Sequence, residues 1–63
     1  MDKQEFLEYI DDNFSLDGAA KRLIANVLNY AELLPYSEQY PFLTEMLDGT
    51  IGLSDSEIRK IEL

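Results

Sequence analysis

Four oxygen-bearing side chains alternate along residues 11–17 at the spacing that opens an EF-hand calcium loop. They are Asp11, Asn13, Ser15 and Asp17. Such a loop also needs a glycine at its sixth position and a bidentate Glu at its twelfth, where this chain has Leu16 and Arg22. We therefore interpret the four residues as the end of one helix and the beginning of the next.

The rest of the chain offers little for catalysis or metal binding. It contains no His and no Cys, so it lacks the usual general base near neutral pH, the activated thiol and the common zinc ligands. Its carboxylates could form acid and base pairs, but so small a chain can hardly enclose the cleft that a glycosidase needs. The three glycines follow no phosphate-binding pattern. We expect no enzyme activity, no cofactor and no metal site.

The first quarter of the chain carries an unbalanced group of carboxylates. Residues 2–17 hold six Asp or Glu and one Lys. At helical spacing each like-charged pair costs about 0.2 to 0.5 kcal/mol, and the last acids would also lie near the negative end of the helix dipole. Local stability therefore does not account for the arrangement. The candidate partner-binding residues are Glu5, Glu8, Asp11 and Asp12, with Tyr9 at the edge of the same face.

The whole chain is acidic, with a net charge of -8 that repels phosphate backbones and anionic lipids. We expect no direct binding to nucleic acid or to membranes. The acidic face is then either a solvated surface that keeps a small protein soluble, or a docking face for a basic surface of another protein. In the second interpretation the protein is a small regulator, or an inhibitor that occupies the basic groove of a nucleic-acid-handling protein in place of DNA or RNA.

Length and composition predict one domain over residues 1–63. A chain this short encloses a single core, its 46% hydrophobic content is normal for a globular protein, and no strand-like alternation interrupts the helical spacing. The sequence predicts an all-α fold, a small compact bundle of three to four short helices. Without Cys or His, the stability of such a domain must come from helix packing or self-association.

The N-terminal sequence and the lack of cysteine bear on the compartment. Met-Asp-Lys-Gln-Glu is not followed by the apolar run of a signal peptide. No stretch approaches the roughly 18 apolar residues that span a membrane. A cysteine-free chain also fits a reducing compartment. The expected location is therefore the cytoplasm.

Apolar spacing predicts two longer helices in the first half of the chain. The first covers residues 2–13 and places Phe6, Leu7 and Ile10 on one face. Ser15 is the expected N-cap of the second, which should end near Leu34 because Pro35 follows.

The second helix has an apolar arc of about half its circumference. The arc combines two series, Leu16, Ala20, Leu23, Val27, Tyr30 and Leu34, and Ala19, Ile24, Leu28 and Ala31. So wide a face is either central to the fold or the seam of a homodimer. The dimer gives the alternative function, a structural or self-assembling module whose acidic face serves only solubility.

Two shorter helices are predicted in the second half. The third covers residues 40–47, because Pro41 is tolerated within a first helical turn and Gly49 is placed to end a helix in the left-handed conformation. Residues 50–53 form a connector. The fourth helix begins at Asp55, because Ser54 and Glu57 have the spacing of a capping box.

Residues 42–61 then have the outline of a helix-turn-helix motif. Asp55 and Glu57 would stand at the end of its second helix that approaches the bases, and two carboxylates there would repel phosphate. A degenerate DNA-binding domain is accordingly the least favoured function. A helical pair that packs in this way without binding DNA is favoured.

Overall fold

The computed structural model describes residues 1–63, apart from the side chain of Thr50. Its helices are α1 (Lys3–Asn13), α2 (Gly18–Glu32), α3 (Tyr36–Ile51) and α4 (Asp55–Ile58). Helix α1 packs on α2, α2 on α3, and α3 on α4. The described backbone contains no strand. The prediction of an all-α bundle of three to four helices is therefore confirmed.

Helix α1 begins with a complete capping box. The Asp2 carboxylate accepts a hydrogen bond from the backbone N–H of Glu5 at 2.8 Å, and the Glu5 carboxylate accepts from the backbone N–H of Asp2 at 3.4 Å. Two backbone N–H groups at the helix start thus gain acceptors. The prediction of a helix over residues 2–13 is confirmed.

Helix α2 is capped by Asp17, so the prediction that Ser15 caps it was wrong. The Asp17 carboxylate accepts from the backbone N–H of Ala20 at 2.8 Å. Leu16 packs half-buried against the core from outside the helix. This packing keeps Leu16 and the residues before it in the connection between α1 and α2, so α2 begins only after Leu16. The helix ends at Glu32, two residues before the predicted end.

Helix α3 starts directly after Pro35 and contains Pro41 in its interior. The expectation that Pro41 marks a first helical turn was wrong. Proline has no N–H, so Pro41 cannot donate to the carbonyl of Ser37 as a regular helical residue would. Tertiary contacts offset this loss, because the Tyr40 hydroxyl donates to the carbonyl of Ile58 at 3.3 Å and fixes the helix to the C-terminal part of the chain.

The end of α3 lies at Gly52 rather than at Gly49, which corrects the predicted end of the third helix. Gly52 has φ 68° and ψ 30°, and its N–H donates to the carbonyl of Asp48 at 3.1 Å. Residues 50 and 51, predicted as connector, belong to the helix. The reason is burial, since the core-facing series Leu43, Leu47 and Ile51 continues one turn past Leu47 and so passes Gly49.

Helix α4 is a single turn that starts at the predicted residue. The hydroxyl oxygen of Ser54 accepts from the backbone N–H of Glu57 at 3.4 Å, and the same hydroxyl lies 3.2 Å from the Glu57 carboxylate as a donor. Leu53 and Ile58, on either side of the cap, are 1% and 0% exposed. They form the hydrophobic staple that fixes the entry of the chain into the helix.

The core is apolar and receives side chains from all four helices and from the C-terminal segment. Its buried members are Phe6, Ile10, Ile24, Val27, Leu28, Ala31, Leu43, Leu47, Leu53, Ile58 and Ile61. No described polar or charged side chain is buried. Each large apolar side chain contributes about 1.5 to 3 kcal/mol when fully buried. This burial stabilises a chain that has no disulfide.

Candidate protein-binding surfaces

The outer side of α1 carries the four predicted carboxylates. Because α1 buries Phe6 and Ile10, the helical period of about 3.6 residues per turn directs the acids away from the core. All four are exposed. Together with Tyr9 at its edge, this surface is the α1 acidic face, made of Glu5, Glu8, Asp11, Asp12 and Tyr9.

One carboxylate of this face is neutralised across the bundle. Lys21 of α2 places its Nζ 2.5 Å from Oδ1 of Asp11. Sequence spacing finds basic partners only on the same helix, and so it missed this one. Within the described part of the chain, Glu5, Glu8 and Asp12 form no ion pair.

Tyr9 lies at the border between the acidic face and α4. Its half-buried ring has the Lys60 ammonium 5.5 Å from the centroid, a cation–π contact. Its hydroxyl donates to the Glu57 carboxylate at 3.3 Å. The side chain therefore links α1 to the C-terminal segment, and its polar group already has a partner inside the protein.

A second surface lies between α2 and α3. It is an open groove of about 380 Å³, and the residues that line it are Tyr30, Leu34, Ser37, Glu38, Pro41, Phe42 and Glu45. We name it the α2–α3 groove. The rings of Tyr30 and Phe42 line it and contact each other, with their centroids 5.1 Å apart.

The wide apolar arc of α2 is partly buried and partly exposed. Ile24, Leu28 and Ala31, from the second series, are buried in the core. From the first series, Leu23 and Tyr30 keep 45% and 55% of their surface exposed. The predicted wide arc thus exists, and part of it is open to solvent beside α3.

A third concavity, of about 360 Å³, lies between α1 and α2. Apolar side chains including Leu7 and Leu16 form its floor. Its edge mixes charges of both signs, with Glu8 on α1 and Arg22 on α2. The Lys21–Asp11 ion pair also belongs to this edge. A mixed rim favours neither a cationic nor an anionic partner.

A long central stretch of the sequence has no basic side chain. Residues 23–58 contain six carboxylates and no Lys or Arg. Two of these carboxylates pair with basic residues from outside the stretch. The Nζ of Lys3 lies 2.6 Å from Oε2 of Glu32, and the Nε of Arg59 lies 2.7 Å from Oδ2 of Asp55. The carboxylates of α3 form no ion pair among the described side chains: they are Glu38, Glu45 and Asp48.

A polar cluster joins α3 to the C-terminal segment. Partial burial raises the pKa of the Tyr40 hydroxyl, and the Arg59 guanidinium, 5.5 Å from the ring centroid, opposes the rise. The hydrogen bond to Asp55 raises the pKa of Arg59. Both pKa shifts favour the protonated forms that are present at neutral pH. These are the neutral phenol of Tyr40 and the guanidinium cation of Arg59. The cluster connects α3 to the C-terminal segment through the Tyr40 hydroxyl and the Arg59 guanidinium.

Within the described residues, no group of three or more His, Cys, Asp or Glu side chains could hold a metal ion. None of the described helices combines the length and the apolar character needed to cross a membrane. Comparison with known proteins finds no matching family model, no matching curated protein and no matching solved structure.

Proposed function

We propose that the protein binds a partner protein that presents a basic surface, and that the α1 acidic face makes the contact. The observation that carries this proposal is the pair Glu8 and Asp12, which are exposed, one helical turn apart and without an ion pair among the described residues. Like charges at this spacing destabilise a helix, and Asp12 also lies near its negative end. A contact with positive charge in the partner accounts for an arrangement that the isolated helix disfavours.

The spacing suits a surface built for phosphates. Residues four apart on a helix have Cβ atoms about 5 to 6 Å apart, so two Lys or Arg side chains can approach Glu8 and Asp12 together. Basic surfaces that present several such side chains are typical of nucleic-acid-handling proteins. The protein would act there as a regulator, or as an inhibitor that takes the place of DNA or RNA. Such association is fast and weakens with added salt.

The test compares two charge-matched double variants in capture from the native host at low and high salt. Glu8→Gln with Asp12→Asn removes two charges from the α1 acidic face, and Asp48→Asn with Glu62→Gln removes two from elsewhere. We expect a captured basic protein to be released by salt and to be lost only with the first variant. Calorimetry with the purified partner measures the affinities. Equal retention by both variants, or capture that ignores salt, would reject the proposal.

A second candidate function is self-association through α2. It is supported by the exposure of three large apolar side chains of this region, Leu23, Tyr30 and Leu33, at 45%, 55% and 82%. Sedimentation equilibrium over a range of concentrations tests it. A dimer that dissociates when Leu23 is replaced by Glu supports self-association, and a monomer at all concentrations rejects it.

A further inference from the structure

The floor of the α2–α3 groove is apolar and open. The Tyr30 ring packs on Phe42, and Pro41 and Leu34 extend the same surface. More than half of Tyr30 remains exposed, at 55%. Leu23, at 45% exposure, precedes Tyr30 by two helical turns on the same side of α2. Open apolar strips between two helices are typical of surfaces that receive the apolar face of a third helix.

Carboxylates border this floor on the α3 side. Glu38 and Glu45 both line the groove and are seven residues apart, which corresponds to about 10 Å along a helix axis. Helix α3 contains no Lys or Arg. Neither Glu forms an ion pair among the described side chains. The groove thus combines an apolar centre with negative charge that the protein itself leaves unbalanced.

Pro41 contributes a hydrogen-bond acceptor to the same place. Since Pro41 has no N–H, the carbonyl of Ser37 lacks the donor that a regular α-helix would supply. Both residues line the groove. Ammonium and guanidinium groups are donors without acceptor capacity, and they form their strongest hydrogen bonds with carboxylates. Two carboxylates in the groove, together with this carbonyl on a residue that lines it, therefore favour a cationic ligand.

We propose that the α2–α3 groove binds a basic amphipathic helix of a partner protein. Leu or Phe side chains of that helix would cover Tyr30 and Phe42, and Lys or Arg side chains seven residues apart would reach Glu38 and Glu45. A second copy of this chain is disfavoured as the occupant, because each copy has a net charge of -8 and would bring the same carboxylates. The groove is separate from the α1 acidic face, so the proposal does not depend on the function proposed above.

The test uses a fluorescein-labelled helical peptide of about two heptads, with Leu on one face and Lys on the other. A second peptide keeps the Leu positions and replaces every Lys by Glu. Fluorescence anisotropy gives the affinities, and amide chemical shifts of the full chain locate the contact. We expect micromolar binding of the Lys peptide, no binding of the Glu peptide, and the largest shifts around Tyr30 and Phe42.

Two charge-matched variants decide whether the groove itself is responsible. Glu38→Gln with Glu45→Gln should weaken Lys-peptide binding by about tenfold. Asp55→Asn with Glu62→Gln, which removes two exposed acids outside both surfaces, should change it by less than about twofold. Tyr30→Ser, which alters no charge, should weaken it as well. Because the four acidic side chains are exposed, both double variants should retain the helical circular dichroism of the original chain.

Several results would overturn the proposal. Equal weakening by the two double variants would show attraction by net charge alone. If the amide chemical shift changes were confined to α1, or if the Lys peptide did not bind at all, the groove would not be the binding site. Sedimentation of the chain as a dimer that the Lys peptide cannot dissociate would make a second copy the occupant.

Discussion

The α1 acidic face and the α2–α3 groove are both acidic, but they differ in what lies between the carboxylates. On α1 the acids stand on a polar helix surface, and one of them is paired with Lys21. In the groove, Glu38 and Glu45 flank an aromatic floor. Exposed ion pairs contribute about 0 to 1 kcal/mol each, whereas burying a large apolar side chain contributes about 1.5 to 3 kcal/mol. In the two proposals, the first surface attracts a partner and the second retains one.

The largest expected effect comes from removing core that both surfaces share. Leu28→Ala deletes a fully buried side chain of α2 and should lower the free energy of unfolding by about 2 to 5 kcal/mol. A domain with about 5 kcal/mol of stability would then keep only about 0 to 3 kcal/mol, and both surfaces would be lost together when it unfolds. Urea titration followed by circular dichroism measures the change.

Leu33→Ala is the matched control for this prediction. Leu33 is 82% exposed, and the same substitution there should change stability by no more than about 0.5 kcal/mol. Similar losses in the two variants would contradict the assignment of Leu28 to the shared core.

A smaller effect of opposite sign is expected within the groove. Pro41→Ala supplies an N–H to the carbonyl of Ser37 and should raise the free energy of unfolding by about 1 to 2 kcal/mol. The same change should weaken binding of the Lys peptide, because the carbonyl is then occupied. Pro35→Ala, at the N-cap where no helical N–H is required, should give no such gain. Thermal unfolding without a gain for Pro41→Ala would argue against a proline inside α3.

Two neighbouring acids should behave differently on the α1 acidic face. Asp12→Asn removes a repulsion with Glu8 and an unfavourable charge near the helix end, so it should stabilise the protein by about 0.5 kcal/mol at low salt. Asp11→Asn should give no comparable gain, because it also removes the ion pair with Lys21. Urea titrations at low and high salt measure both. Equal gains would mean that the ion pair contributes nothing in solution.

The smallest effect is expected at alkaline pH, away from the groove. Because the folded state raises the pKa of Tyr40 above its ordinary value of 10.0, the fold favours the protonated phenol. Its stabilising contribution should be complete below pH 10.0 and decrease as pH rises through the folded-state pKa. Tyr40→Phe should make the alkaline decline less steep, as measured by urea titration against pH. An unchanged decline would contradict the assignment.

Short-range signals in the sequence predict α1 and α4 well. At the start of each helix, a capping residue and the apolar positions that follow it lie within a few residues of one another. The capping residue is Asp2 in α1 and Ser54 in α4. The limits of α2 and α3 depend on contacts between distant segments. Ser15 and Asp17 are equally good caps by type, and only the packing of Leu16 outside the helix decides between them.

The same distinction, between short-range signals and contacts of distant segments, applies to the two surfaces. The outward direction of the α1 acids follows from helical periodicity, but the Lys21–Asp11 pair depends on how two helices meet and has no local signal. The α2–α3 groove was missed, although Tyr30 and Leu34 were in a predicted apolar series of α2. The α3 side of the groove was missed because Pro41 was assigned to a helix start, so that Glu38 lay outside the predicted third helix.

The absence of Lys and Arg from residues 23–58 has a practical consequence for reagents. Amine-reactive dyes attach to lysines, and the three lysines of this chain are Lys3, Lys21 and Lys60. None lines the α2–α3 groove. Trypsin cleaves after Lys or Arg and so finds no site between Leu23 and Ile58. Residues 23–58, which include every residue that lines the α2–α3 groove, therefore carry no site for either reagent, although Lys21 and Arg22 lie near the start of α2.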